Sequence, residues 1–198
     1  MLILFDFDRT LFDNRTFYPQ LHLQIARTCG LSSGHYKKLQ DKYYASLSSL
    51  TAFNPKKFIS FLQKHINIDS SKLLPFYFAN SKLYSSSLFS DTIPTLKALK
   101  QSHTLGIFSQ AYRPYQLAKL KNSSLLPFFS PDHLYISSDK TKHSFVQSIP
   151  PAQIIDNDRG VISTLLLTPH LKPFWLNRLS TKKHPQAPTI HTLRELCL

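Results

Sequence analysis

Four short apolar runs, each closing on a polar residue, punctuate a chain whose other apolar positions mostly recur every three to four residues. Leu2 to Phe5 is long enough for a strand buried on both faces and too short for a helix. Thr104 to Phe108, Leu134 to Ser137 and Gln153 to Asp156 read as further strands. Phe17 to Ala26, with Leu21, Ile25 and Ala26 on one side, predicts a helix ended by Gly30. Leu39, Tyr43 and Leu47 predict another over His35 to Leu50, and Asn54-Pro55 supplies a cap and first-turn proline for Lys56 to Ile66. Ser70 or Ser71 opens a fourth helix through Leu83, disturbed by Pro75. Residues 15–89 therefore predict an all-helical insert between the first strand and the rest. Beyond it, Asp91 to Lys100, Phe145 to Ile149 and Thr189 to Leu196 predict helices. Ser163 to Leu167 predicts an edge strand, and Pro169 to Pro188 a loop with one short helix.

Composition narrows the setting. At 198 residues and 42% apolar content, the chain is one domain, or one core with a smaller insert. No apolar run approaches a membrane span, and Asp6 interrupts the first run before it could serve as a signal peptide. Cys29 and Cys197 have no metal spacing, and a reducing cytoplasm is the expected location. The formal charge of +13 favours anionic partners: phosphate esters, nucleotides, nucleic acid or anionic lipid. Within residues 15–90, ten basic side chains stand against Asp41 and Asp69, a net of +8. The acidic side is sparse, eleven residues with Glu195 the one glutamate. Asp6, Asp8, Asp156 and Asp158 gather at the ends of two strand-like runs, so few of those acids are scattered by chance.

Asp6 and Asp8 share one side of an extended chain, with Thr10 following at the start of a turn. Two carboxylates at the end of a buried strand are costly unless a cation or a reaction needs them. In open α/β sheets, that end of the strands is where ligands bind. Asp6-Phe-Asp8-Arg-Thr10-Leu-Phe-Asp13 resembles the first motif of the haloacid-dehalogenase-like superfamily of phosphohydrolases, Asp-x-Asp-x-Thr after a hydrophobic strand. The resemblance continues in order. Ser109, before Gln110-Ala111-Tyr112, is similar to the second motif, a strand closing on Ser or Thr. Lys140 and Lys142 both fit the third-motif lysine; Phe145, Val146 and Ile149 follow Lys142 at a one-turn helical offset, which favours Lys142. Asp156 falls on the first position of the fourth motif, and Asp158 or Asn157 on the second. Arg9 departs from the pattern, where the family commonly has Gly.

The resemblance implies a Rossmann-like α/β fold, a three-layer αβα core with a parallel sheet over residues 1–14 and 90–198. Residues 15–89 would form a helical cap of the first type. It implies a Mg²⁺-dependent phosphohydrolase in which Asp6 attacks phosphorus and Asp8 serves as acid and then base. Ser109 and Lys142 or Lys140 would hold the phosphoryl oxygens, with Thr10 and Gln110 beside them. Asp6, Asp8, Asp156 and Asp158 would supply the metal oxygens. The expected substrate is a small phosphate monoester, with no membrane partner. Two other readings stand beside it: nucleotide or polynucleotide ends, with nucleic acid suggested by charge and by no motif, and a non-catalytic phosphate-ester-binding protein on the same fold.

Overall fold

The structure is a computed structural model that describes residues 1–197. In chain order, β1 (Leu2–Phe5) is followed by α1 (Asn14–Thr28), α2 (Ser33–Ala45), α3 (Pro55–Gln63), α4 (Leu74–Phe78) and α5 (Ser81–Ser86). Then come α6 (Thr92–Leu99), β2 (Thr104–Gln110), α7 (Arg113–Asn122), β3 (Leu134–Ser137), α8 (His143–Gln147) and β4 (Ala152–Asp156). The chain finishes with α9 (Arg159–Leu165), β5 (Leu171–Leu176), β6 (Thr189–Ile190) and a 3₁₀ turn over Leu193–Cys197. Two compact units result: Met1–Asp13 with Leu88–Gln110 and Leu125–Leu198, and Asn14–Ser87 with Ala111–Ser124.

The first unit is a six-stranded, all-parallel sheet in the order β3-β2-β1-β4-β5-β6, with helices on both faces, a Rossmann-like α/β fold. β1 is central and buried on both sides, which is why its sequence is continuously apolar rather than alternating. Gly106 on β2 allows close packing: a Cβ there would stand 2.5 Å from the His133 carbonyl and 2.6 Å from Leu4 Cδ2.

Three sequence expectations are corrected in this unit. Residues 163–167 do not form an edge strand, because Asp158 caps α9 and Val161, Ile162 and Leu165 line its buried side. β5 crosses the segment expected as a loop, despite Pro173. That proline is tolerated because β6 pairs only with Trp175 and Leu176, leaving Pro173 unpaired on that side. The expected terminal helix is instead the short strand β6 and a 3₁₀ turn.

The second unit is helical. The chain leaves α1 through a left-handed Gly30 (φ +66°), with Gly30 N–H donating to the Arg27 carbonyl and Leu31 N–H to that of Ala26. Asn54 caps α3 through its side-chain oxygen, with Pro55 in the first turn. The predicted fourth helix is broken into a 3₁₀ turn, α4 and α5; Pro75 starts α4 rather than interrupting a longer helix. Aromatic rings form this unit's core. Tyr43 meets Phe58 at 5.0 Å, Phe17 meets Tyr84 at 4.6 Å, and Tyr77 meets Tyr115 of α7 at 5.8 Å. α7 thus groups with the helices of residues 14–87 although it follows β2 in sequence. Among the described residues no helix is long and apolar enough to cross a membrane.

Candidate active site

The sheet order sets β3, β2, β1 and β4 side by side, so their carboxyl ends deliver side chains to one place. Asp6 follows β1, its N–H bonded to the Ile155 carbonyl of β4, and its side chain is almost fully buried. Ser109, near the end of β2, donates its hydroxyl to Asp6 Oδ1 at 3.4 Å. Lys140, three residues past β3, donates from Nζ to Asp6 Oδ1 at 2.9 Å and to Asp156 Oδ2 at 2.5 Å. Thr10 is buried and donates to Asp6 Oδ2 at 3.2 Å. Asp6, Thr10, Ser109, Lys140 and Asp156 therefore form one bonded group.

Of the two candidate lysines, the structure brings Lys140, not the favoured Lys142, to Asp6 and Asp156. Lys142 is exposed at the start of α8, with no capping bond from its side chain. The turn after β3 decides the matter. Asp139 Oδ1 accepts Thr141 N–H (3.0 Å) and its hydroxyl (2.8 Å), and Ser137 Oγ donates to the Asp139 carbonyl (3.0 Å). This reversal directs Lys140 inward over the Phe108 ring, 5.4 Å from its centroid. Gln110, expected at the phosphate, donates from Nε2 to the Ser138 carbonyl at 2.8 Å and so braces the same turn.

Charges inside the group oppose one another. Burial alone would lower the Lys140 ammonium, but Asp6 and Asp156 outweigh it and hold it above the usual lysine range. Burial first, and then the Asp6 charge, push the Asp156 carboxyl up to about 7, against the pull of Lys140 and the Asp158 N–H. The Lys140 ammonium thus sits between the two carboxylates and is bonded to both.

The fourth-motif acids are placed differently from expectation. Both oxygens of Asp156 are engaged, Oδ2 by Lys140 and Oδ1 by the Asp158 N–H at 2.8 Å. Asp158 is exposed, and its Oδ1 caps α9 by accepting from Gly160 N–H (2.8 Å) and Val161 N–H (3.2 Å). The residue that faces the first motif is Asn157. One end of its carboxamide stands 2.9 Å from the Asp8 carbonyl oxygen and 3.3 Å from Asp6 Oδ2. Its backbone carbonyl accepts from Trp175 Nε1 at 3.0 Å, which fixes its direction. Among the described residues no three His, Cys, Asp or Glu side chains cluster as a metal centre. A cation here would instead draw on one carboxylate, one backbone carbonyl and one carboxamide. The spacing fits: oxygens on an octahedron with Mg–O bonds of about 2.1 Å lie about 2.9–3.0 Å apart. With the nitrogen turned inward, the same contacts become two hydrogen bonds. Asp8 itself is half-buried, its backbone bridged to Phe12 across the turn.

An ion pair not apparent in the sequence supports this turn. Arg178, after β5, donates twice to Asp91 (both 2.9 Å) and once to the Thr10 carbonyl (3.0 Å), over the Phe89 ring at 4.0 Å. Leu193 N–H adds a bond to Asp91 at 2.8 Å. Arg178 therefore ties the end of the first motif to α6 and the C-terminal turn.

A family model described as haloacid dehalogenase-like hydrolase matches residues 3–148. No curated protein gives a significant sequence match. Among solved structures, the HAD phosphatase from Thermococcus onnurineus is 22% identical, with a TM-score of 0.66, over 98% of this chain and 95% of its own. The HAD-hydrolase YfnB from Bacillus subtilis, bound to magnesium, is 19% identical with a TM-score of 0.61, over 98% and 96%. The 2-haloacid dehalogenase from Pseudomonas syringae pv. Tomato is 15% identical with a TM-score of 0.60, over 98% and 95%. At these identities the likeness shows the fold; the chemistry rests on the residues.

Proposed function

Since the chain belongs to the haloacid dehalogenase-like hydrolases, we propose that it hydrolyses a small phosphate monoester through an aspartyl-phosphate on Asp6. The observation that carries this reading is the bonded group around Asp6, with a second carboxylate two residues on. Asp6 attacks phosphorus in line, forming an O–P bond as the ester O–P bond breaks. Asp8 gives a proton to the leaving alkoxide, then takes one from the water that releases inorganic phosphate and restores Asp6. Ser109 and Lys140 stand on Asp6 Oδ1, where they orient the nucleophile and meet charge on the phosphoryl oxygens. Asp156 holds Lys140 in place. Asp6, the Asp8 carbonyl and Asn157 would hold Mg²⁺, whose charge offsets that of the phosphoryl group. A departing halide needs no proton, so a role for Asp8 favours ester over halide chemistry. The free thiols of Cys29 and Cys197 suit a reducing compartment, and the proposal places the enzyme in the cytoplasm.

The test is hydrolysis of para-nitrophenyl phosphate and a panel of sugar and nucleoside phosphates, with and without Mg²⁺, beside Asp6→Asn. Magnesium-dependent phosphate release abolished in the variant is expected. Release that survives Asp6→Asn would overturn the role of Asp6. Chloride release from 2-chloropropionate without phosphatase activity would reassign the site to halide displacement.

A further inference from the structure

Nearly all of the chain's excess positive charge lies in one of its two units. Asn14–Ser87 and Ala111–Ser124 carry 13 Lys and Arg against Asp41 and Asp69, a net of +11. The sheet-bearing unit carries the remaining 11 basic and 9 acidic residues, a net of +2. Catalysis on a small ester needs positive charge at the active site, and Lys140 of the sheet-bearing unit supplies it there. It does not explain an excess spread over helices.

Those helical cations are exposed apart from Lys119, and the unit itself carries two acids, Asp41 and Asp69. Asp41 is taken by Lys37 one turn away, at 2.8 Å. Asp69 caps its own 3₁₀ turn through Ser71. On α2, Lys38 and Lys42 lie one turn apart, away from the buried Tyr36, Leu39 and Tyr43. Lys57 on α3 and Lys64, its C-cap, lie two turns apart, opposite Phe58, Ile59 and Leu62. Lys42 Nζ also stands 3.3 Å from Nε2 of His65, two residues past the end of α3.

We propose that the helical unit binds nucleic acid through its sugar-phosphate backbone, with the α2–α3 lysines as the principal contact. The inference stands independently of the hydrolytic reading. A membrane surface fits less well. Peripheral docking needs apolar side chains beside the lysines, and the exposed large hydrophobics of this unit are Leu23 and Leu50 alone among the described residues. Base-specific stacking fits less well too, since Tyr36, Tyr43, Tyr77, Tyr84 and Tyr115 are buried in the unit's core. What remains is charge, and charge reads phosphates without sequence preference.

The test uses the full chain and a fluorescein-labelled 20-nucleotide single strand, read by anisotropy at two salt concentrations. Four engaged lysines give a log–log salt slope of about −3, or roughly 50-fold weaker binding at 200 mM than at 50 mM salt. The variant Lys38→Glu/Lys42→Glu/Lys57→Glu/Lys64→Glu changes exposed positions only, and circular dichroism checks its fold. A loss of at least about tenfold in affinity is expected from it, across oligonucleotides of unrelated sequence. Absence of binding at 50 mM salt overturns the proposal. So does binding that the folded variant retains, or sedimentation with phosphatidylserine vesicles in place of oligonucleotide binding.

Discussion

Lys140 Nζ stands 2.9 Å from Asp6 Oδ1 and 2.5 Å from Asp156 Oδ2, an ammonium shared by the carboxylate that follows β1 and the one that ends β4. Removing it leaves two buried carboxylates facing each other. Lys140→Met is therefore expected to lower kcat by about 10²–10³-fold, as when a preorganised donor to a reacting group is lost. It also costs about 3–5 kcal/mol of stability as an unpaired buried charge. Lys142→Met, at the exposed start of α8, serves as the control and should stay near wild type in both. Steady-state kinetics and urea denaturation on the two variants check this; equal loss in both would remove Lys140 from its role.

Arg9 has φ +65°, in the left-handed region, and its N–H donates to the Phe12 carbonyl at 2.7 Å. A side chain there costs about 1–2 kcal/mol, which glycine avoids, although glycine adds freedom to the unfolded chain. Arg9→Gly is expected to raise stability by about 0.5–1 kcal/mol. A fall in the denaturation midpoint would mean that the exposed guanidinium makes a compensating interaction.

The Arg178–Asp91 pair spans 87 residues and is almost buried. Asp91→Asn leaves the guanidinium without its carboxylate and should cost about 3–5 kcal/mol. Arg178→Met/Asp91→Leu together should recover much of that loss, because a shape-filling apolar pair need not be desolvated. Because Arg178 also holds the Thr10 carbonyl, the double variant should still lose kcat while regaining its denaturation midpoint.

Much of the bonded group around Asp6 is legible in the sequence because buried parallel strands leave continuous apolar runs, and in open α/β sheets ligands bind where those runs end. Asp6, Ser109 and Asp156 were found this way. Lys140 and Lys142 could not be separated by counting, since a turn stabilised by the Asp139 side chain, not a helical offset, aims the lysine. β5 was hidden by Pro173, whose missing N–H matters only where a neighbouring strand pairs with it. Asp158 was an ambiguous acid because one residue type serves both as metal ligand and as helix cap. Arg178 and Asp91 were invisible because nothing local marks partners 87 residues apart.

His22, on α1, has Nε2 2.7 Å from Gln40 Nε2, and burial, then the charge of Lys37, lower its pKa to about 4. The unfolded chain thus binds this proton near pH 6.5, and the folded chain only near 4. Stability from His22 is present above about pH 6.5 and lost as pH falls toward 4. Asp156, raised to about 7, works with the opposite sign over an overlapping range, since its folded form binds the proton first. The comparison is therefore between wild type and His22→Gln. The difference in unfolding free energy should shift in favour of the variant as pH falls from 6.5 to 4.5, by less than the ~1.4 kcal/mol per pH unit set by one proton. A pH-independent difference would show that His22 titrates normally.

Asn157 faces the Asp8 carbonyl and Asp6 Oδ2 at 2.9 and 3.3 Å, where a neutral carboxamide can serve either as an oxygen ligand or as a hydrogen-bond donor. A carboxylate can serve only the first role. Asn157→Asp should therefore repel Asp6 and lower stability without a cation. It should bind Mg²⁺ more tightly by roughly an order of magnitude, because hard cations respond to ligand charge. Calorimetric titration of Mg²⁺ reads the affinity, and thermal unfolding with and without Mg²⁺ reads the same coupling through stability. Both should rise together, with the variant gaining more than wild type from the cation. If wild type binds Mg²⁺ and the variant binds it no better, the cation does not touch residue 157. Asp6 and the Asp8 carbonyl must then find their third ligand elsewhere.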